Sequence, residues 1–224
     1  MKLALIKCTL YKDITNKKGS CLKDNLALLG ILGANFFIYY AFLVHNSSLP
    51  NNLHDFSVDI NKVLPLGLGI VLIRILNGLL SADTKARIVF LRWSNFLPGT
   101  EAFTRYGPAD HRVDMKNLER DFGPLPTNPK LQNALWYQIY KSVEKNPSVI
   151  NVQQEFLLAR DYTSLALMVL VVFGIASFIQ LPSLKTAAIY IIFLLVQLIV
   201  AGVAARNFGR RFVTTVLALK SSRR

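Results

Sequence analysis

The sequence predicts an all-α membrane protein with four transmembrane helices, arranged as two hairpins with a small helical cytoplasmic module between them. The chain has 224 residues, of which 52% are hydrophobic. These residues gather in long blocks, which is unusual for a soluble domain of this length. Four blocks approach the ~20 residues that a helix needs to cross a bilayer. The formal charge of +13 is concentrated around the ends of these blocks.

The four predicted spans are 26–44, 63–80, 162–181 and 186–205. Each must be helical, because backbone groups in hydrocarbon have to be hydrogen-bonded within their own segment. The first span is not typical of a cleaved signal peptide, since a long polar segment precedes it and aromatic residues fill its far end. We therefore expect two membrane hairpins, 26–81 and 162–205.

The distribution of basic residues predicts the orientation. Lysines and arginines are frequent in the N-terminal tail 1–25, the middle module 82–161 and the C-terminal tail 206–224. In the two loops between paired spans, the only lysines or arginines are Lys62 and Lys185. By the positive-inside rule, both termini and the module are cytoplasmic in a multi-pass protein of the cell inner membrane.

The same charge predicts a partner. Anionic lipids of the inner leaflet attract basic residues near the surface by about 1 kcal/mol each. Direct binding of nucleic acid is not expected, because acidic residues lie among the arginines of the module. The tail 206–224 alternates basic and apolar residues, which favours an amphipathic helix on the inner leaflet.

Helix signals divide the module. A helix over 81–96 is expected to continue from the second span and to lie at the membrane surface, with Trp93 among apolar and basic residues. After a turn and an irregular polar stretch, 113–122 is a short helix candidate. Asn128 followed by Pro129 predicts a helix start. The apolar face predicted for this helix, at helical spacing, consists of Leu131, Leu135, Trp136, Ile139, Tyr140 and Val143.

The same signal recurs at Asn146 and Pro147, and no further breaker appears before Pro182. We therefore expect one helix that begins in the module and continues as the third span.

The second span contains Arg74, with Asn77 close by. An arginine at the centre of a transmembrane helix costs at least ~2.5 kcal/mol, so both residues are candidates for an intramembrane function. The alternative is that the long Arg74 side chain reaches the cytoplasmic interface. If Arg74 is internal, its polar partners in other spans are Asn35, Gln180 and Gln197.

The sequence offers little chemistry. Asp110, His111 and Asp114 could ligate a metal or serve acid–base catalysis. The preferred interpretation is a polar loop leading into a charged helix. We expect no enzyme activity, no cofactor and no metal site.

Candidate partner-binding residues are Trp136, Tyr137 and Arg112. Aromatic and arginine side chains anchor protein interfaces. The alternative for the aromatic pair is packing of their helix against the long helix that follows.

The strings LPGTEAF, GPLP and QNALWY in the module are typical of a family signature. The plan of paired spans around a cytoplasmic block resembles the small multi-span membrane effectors of bacterial anti-phage systems, such as those paired with retrons or cyclic-nucleotide signalling. The resemblance implies a bacterial inner-membrane protein with a toxic, normally silenced membrane activity. It transfers no site residues.

We accordingly expect a homo-oligomeric membrane-perturbing effector, controlled by a cytoplasmic protein or nucleoprotein partner of the module. The alternative is a non-catalytic anchor or scaffold for a cytoplasmic complex. A third hypothesis, a lipid-modifying enzyme, would need Asp110, His111 and Asp114 near the inner leaflet.

Overall fold

The computed structural model describes residues 17–45, 68, 71, 75, 77–181 and 183–222, and for 17–27, 29, 44 and 45 the backbone alone. These residues form helices and connecting turns, with no strand among them. The all-α fold class is confirmed.

The described residues include seven α-helices, and a 3-10 turn and a π-helical turn precede the third of them. The α-helices are α1 Lys17–His45, α2 Ala82–Phe90, α3 Gly107–Ala109, α4 Met115–Phe122, α5 Pro129–Val143, α6 Pro147–Gln180 and α7 Leu184–Ser221. A 3-10 turn, Pro98–Glu101, leads directly into a π-helical turn, Ala102–Tyr106. Helix α1 begins at Lys17, inside the segment predicted as an N-terminal tail.

Two of these helices, α6 and α7, are long and apolar enough to cross a membrane. The apolar part of α1, Gly30–Leu43, is shorter. The predicted second span, 63–80, lies mostly outside the described residues. The structure thus gives two candidate spans, and the arrangement of four spans in two hairpins stays a prediction.

The predicted starts of α5 and α6 are confirmed. The Asn128 side-chain oxygen accepts hydrogen bonds from the backbone N–H groups of Lys130 and Leu131 at 3.0 and 3.5 Å. Asn146 accepts one from Ser148 at 2.9 Å in the same way. Helix α6 then runs unbroken for 34 residues, or about 50 Å.

Helix α2 differs from the predicted continuous helix over 81–96. The Ser81 hydroxyl accepts a hydrogen bond from the Thr84 backbone N–H at 3.1 Å, which caps a new helix start. At the other end, Leu91 adopts a left-handed conformation with φ of 51°. The Arg206 guanidinium donates to the Val89 carbonyl at 2.6 Å and thereby satisfies one of the free carbonyls of that helix end.

The chain divides into two compact units. The first comprises Met1–Leu80 and Leu165–Leu198, and its described part packs around Tyr39. The Tyr39 ring lies 5.2 Å from that of Phe173 and 5.1 Å from that of Tyr190, and its hydroxyl donates to Gln180 at 3.2 Å. Helices α1, α6 and α7 therefore pack together in this unit.

The predicted intramembrane residues are only partly described. Arg74 lies outside the described residues, and Asn77 is buried. Asn35, a predicted partner of Arg74, is also buried and donates to the Ile31 carbonyl of its own helix at 2.9 Å. The choice between an internal and an interfacial Arg74 stays open.

The second unit comprises Ser81–Ser164 and Ile199–Arg224 and has one apolar core. The core combines residues of the π-helical turn and of helices α4 to α7. Its members are Ala102, Phe103, Tyr106, Val113, Leu118, Trp136, Ile139, Val143, Val149, Val152, Phe156, Phe212, Val213, Val216 and Leu217.

The C-terminal segment 206–224 is thus not a separate tail. Its described residues belong to α7 and the turn after it, and the apolar face predicted to lie on the inner leaflet is buried in this core. The reason is that Phe212, Val213, Val216 and Leu217 pack against protein side chains, so none remains for the membrane surface. The module predicted as 82–161 includes this part of α7.

Candidate functional site: a basic cleft in the second unit

The turns before α3 are held in place by Gln132 of α5, a side chain that is 1% exposed. Its oxygen accepts from the backbone N–H groups of Phe103 and Thr104 at 3.0 and 3.2 Å. Its nitrogen donates to the Thr127 carbonyl at 2.8 Å. These are first-turn N–H groups, which lack partners within a helix. Gln132 therefore supplies the hydrogen bonds that fix this stretch of chain.

Two glycines bring the same stretch close to α5 and α7. A Cβ atom on Gly99 would lie 2.7 Å from the Trp136 ring. A Cβ atom on Gly107 would lie 2.9 Å from the Ala102 carbonyl oxygen and 3.4 Å from Leu217. The LPGTEAF and QNALWY strings thus meet in the structure, and their residues pack against each other.

Between the fixed stretch and α7 lies an open cleft of about 510 Å³. Its lining is dominated by arginine side chains from two regions of the sequence about a hundred residues apart. The lining residues are Arg105, Tyr106, Ala109, Asp110, His111, Arg112, Arg210, Arg211 and Thr214.

Arg112 links the two sides of the cleft. Its guanidinium makes two parallel hydrogen bonds to the Asp110 carboxylate, at 3.0 and 2.7 Å, and a third to the Thr214 hydroxyl at 3.2 Å. These bonds hold the pKa of Asp110 well below its usual range and raise the pKa of Arg112. The pair is therefore ionised over the physiological range, and it ties the loop to α7.

Glu101 organises the neighbouring arginines. It pairs with Arg92 at 2.6 Å and with Arg105 at 3.1 Å. Burial raises the pKa of Glu101, but hydrogen bonds from Arg92, Tyr106 and Arg105 outweigh it, so the net pKa is lowered. The pKa of Tyr106 is raised, first by burial and then by the Glu101 charge. Glu101 is thus ionised, and its ion pair orients the Arg105 guanidinium.

Arg210 and Arg211 complete the cleft from α7. Arg211 pairs with Glu155 at 3.2 Å. The Arg210 guanidinium lies 5.9 Å from the centre of the Tyr106 ring and, among the described residues, forms no ion pair. Four arginines line the cleft, and Arg92 shares Glu101 with one of them, so five arginines face the three carboxylates of Asp110, Glu101 and Glu155. The surroundings of the cleft are therefore positive, and Arg210 is the lining arginine that none of these acids pairs with.

This arrangement suits the binding of an anion. Arginine guanidinium groups present planar donors that match phosphate and carboxylate oxygens. The cleft is poorly suited to the metal or acid–base chemistry considered for Asp110, His111 and Asp114. Asp110 is engaged by Arg112, and Asp114 caps α4 through the Asn117 backbone N–H at 3.1 Å. The described residues contain no cluster of three or more potential metal ligands.

The structure separates the three predicted partner-binding residues. Arg112 lies in the cleft, and Tyr137 is exposed on α5. Trp136 is only 5% exposed, because its ring packs against Tyr140 and Phe212 at 5.8 and 5.2 Å. Its ring is part of the core, and it contacts Phe212 of α7, whereas the alternative interpretation expected packing against the long helix that follows α5. The binding roles of Arg112 and Tyr137 stay predictions.

Sequence reasoning did not connect Arg105, Arg210 and Arg211 with Arg112. Their proximity depends on α7, whose C-terminal part belongs to the second unit although its first part belongs to the first unit. The one local signal is helical spacing: Arg211 lies opposite the apolar face of Phe212, Val213, Val216 and Leu217, and Arg210 lies at the edge of that face.

Comparisons with known proteins find no match to the chain among protein family models, curated protein sequences or solved structures.

Proposed function

We propose that this chain is a membrane protein whose second unit binds an acidic ligand in the basic cleft and controls the membrane spans. The observation that carries the proposal is the Arg210 guanidinium, exposed in the cleft beside three arginines that already have acidic partners. A phosphate or carboxylate group on the ligand would give Arg210 an acidic partner as well.

The helices offer a route from the cleft to the spans. Arg210 and Thr214 lie on α7, whose apolar stretch 186–205 is a candidate span. Helix α6 carries Glu155, the partner of Arg211, and continues without a break into its own apolar stretch. A ligand bound to Arg210 and Arg211 would therefore contact the helix that carries one candidate span directly, and the helix that carries the other through Glu155.

The membrane activity we propose follows from the plan of the chain. A protein of this size, with paired spans around a helical module, resembles bacterial antiviral effectors that perturb the membrane when triggered. In this proposal the protein acts in the inner membrane as a homo-oligomer, and the acidic ligand of the cleft is the trigger or part of a partner that carries it.

Arg210→Gln is expected to weaken binding of inorganic pyrophosphate to the purified full-length chain by roughly 10- to 100-fold. Loss of a hydrogen bond to a charged group costs about 1.5–3 kcal/mol, and 1.4 kcal/mol corresponds to tenfold in affinity. Isothermal titration calorimetry at low and at physiological salt measures the affinity for pyrophosphate and how much salt weakens it.

The matched control is Arg120→Gln. Arg120 is an exposed arginine on α4, paired with Asp121 and outside the cleft. The control should bind pyrophosphate as the wild type does. Equal binding by wild type, Arg210→Gln and Arg120→Gln would contradict the anion site, as would the absence of any binding by the wild type.

Arg74→Leu is expected to reduce membrane depolarisation after induced expression, because the variant removes the one arginine of the predicted second span. A potential-sensitive dye reports the depolarisation, with immunoblotting of the membrane fraction to match expression levels. Depolarisation that is absent in the wild type, or equal in the two proteins, would contradict the effector proposal.

A second candidate function, a scaffold for a cytoplasmic complex, is favoured by the exposed apolar side chains of α5. Leu131 and Tyr137 are both exposed on this helix although its other large apolar residues are buried or half-buried. A scaffold would retain its partner in Arg74→Leu and lose it in Leu131→Ser with Tyr137→Ser, which affinity purification of the tagged full chain can distinguish.

A further inference from the structure

The loop after α2 places large apolar side chains in solvent. We call residues 91–97 the Trp93 loop. Trp93 is 87% exposed and Leu91 is 76% exposed. An exposed single apolar residue is ordinary on a protein surface, but Trp93 and Leu91 lie two residues apart on one loop, and clustered exposed apolar side chains are typical of a membrane or protein contact.

Contacts within the second unit hold the loop in this shape. The Thr100 hydroxyl is shared between the carbonyls of Leu97 and Asn95, at 2.7 and 3.0 Å. The Arg87 guanidinium lies over the Phe96 ring, 4.8 Å from its centre. Arg92 is fixed by its 2.6 Å pair with Glu101. The loop therefore points Trp93 outward as part of the fold.

The backbone conformation of the loop does not favour a leucine at position 91. Leu91 has a φ of 51°, a left-handed conformation that favours glycine. Glycine or asparagine would fit this helix end with less strain. Leu91 therefore has an unfavourable backbone conformation, and its apolar side chain is exposed to water.

Two contacts fix the level of α2 relative to the apolar stretches of the long helices. Lys85 pairs with Asp161 at 3.3 Å, directly before the apolar stretch 162–181. Val89 accepts a hydrogen bond from Arg206, directly after the apolar stretch 186–205. Helix α2 thus lies where α6 and α7 both change from apolar to polar, and the Trp93 loop follows it at once.

We propose that the Trp93 loop is a bilayer anchor that inserts Trp93 and Leu91 into the interfacial region of the inner leaflet. Tryptophan is enriched at this depth, because its ring is apolar and its N–H is polar. Arg87, which has no carboxylate partner among the described residues, would meet the phosphate groups of anionic lipids. The inference depends on the proposed membrane insertion of α6 and α7, and it is independent of the cleft.

Fluorescence quenching tests the anchor, since the chain has two tryptophans. Trp136→Phe leaves Trp93 as the reporter, and Trp93→Phe leaves the buried Trp136. Each full-length variant is reconstituted in phosphatidylethanolamine–phosphatidylglycerol vesicles. Quenchers are lipids brominated at shallow or deep acyl positions, and acrylamide present on both sides of the membrane. If Trp136→Phe does not fold, the wild-type signal minus that of Trp93→Phe reports Trp93.

We expect shallow bromine to quench Trp93 about twofold more than deep bromine does, and acrylamide to quench it far less than free tryptophan. Trp136 should resist all three quenchers. Strong quenching by acrylamide without quenching by lipid would overturn the anchor while the protein stays with the vesicles. Protection of Trp93 from acrylamide and from the brominated lipids alike would indicate a protein contact and would also overturn the anchor. A chain that fails to float with the vesicles would overturn the proposed membrane function as well.

Discussion

Replacing Gln132 by leucine is expected to lower the free energy of unfolding of the second unit by roughly 3–5 kcal/mol. Leucine has a similar volume but cannot hydrogen-bond, so the N–H groups of Phe103 and Thr104 and the Thr127 carbonyl lose their side-chain partner. Each buried polar group left unsatisfied costs about 1–3 kcal/mol. Thermal denaturation of the full-length chain in detergent, followed by near-UV circular dichroism, measures the loss.

Gln138→Leu is the control for this variant. Gln138 lies on the same helix but is exposed, so the same chemical change there should leave the melting temperature nearly unchanged. Limited proteolysis adds a local readout, because the freed turns between 98 and 106 should be cut first in Gln132→Leu. Equal melting curves for the two variants would show that Gln132 does not hold these turns.

Phe212→Ala is expected to destabilise the second unit by about 3–5 kcal/mol, the usual cost of truncating a buried phenylalanine. The ring lies at the centre of an aromatic cluster, 5.2 Å from Trp136, 5.4 Å from Tyr140 and 6.2 Å from Phe156. Chemical denaturation monitored by Trp136 emission in a Trp93→Phe background reports the loss, because that ring contacts the deleted one.

This variant also separates two interpretations of the C-terminal segment. If 206–224 were an amphipathic helix on the membrane surface, Phe212→Ala would reduce lipid affinity and leave the unit's stability unchanged. The control is Asn207→Ala, an exposed position of the same helix. Stability that is equal in Phe212→Ala and Asn207→Ala would return the segment to the membrane surface.

Local signals were sufficient to predict the helix starts and the long helix α6. Asn128 with Pro129 and Asn146 with Pro147 each begin a helix, because side-chain capping and the missing proline N–H act within one turn of chain. The apolar face of α5 was also predicted at the correct spacing for Trp136, Ile139 and Val143, all of which are buried.

Periodicity shows that a helix has an apolar face but not what covers it. The face around Phe212 and Leu217 suited a membrane surface as well as a protein core, and the structure assigns it to the core. Gln132 was missed for a related reason: a glutamine between Leu131 and Asn133 gives no sign in the sequence that it hydrogen-bonds a distant backbone. Leu131, predicted to be buried, is exposed in its place.

Only the part of the candidate site that lies close together in sequence could be considered before the structure was known. Arg112 and Asp110 are two residues apart; Arg112 was predicted to bind a partner, whereas Asp110 was assigned by preference to a polar loop leading into a charged helix. Arg210 and Arg211 enter the same cleft because α7 packs on the π-helical turn, with Leu217 near Gly107. Contacts across such a distance in sequence follow from tertiary packing and leave no local pattern.

The return of α7 to the second unit sets an order for biogenesis. Residues 81–164 leave the ribosome before 165–198, yet their core lacks Phe212, Val213 and Leu217 until those later residues have been made. Non-local contacts of this kind form late and leave apolar surface exposed in the meantime. Completion of the unit therefore follows synthesis of the intervening hairpin, and a chain stalled before α7 would present an open core to chaperones and proteases.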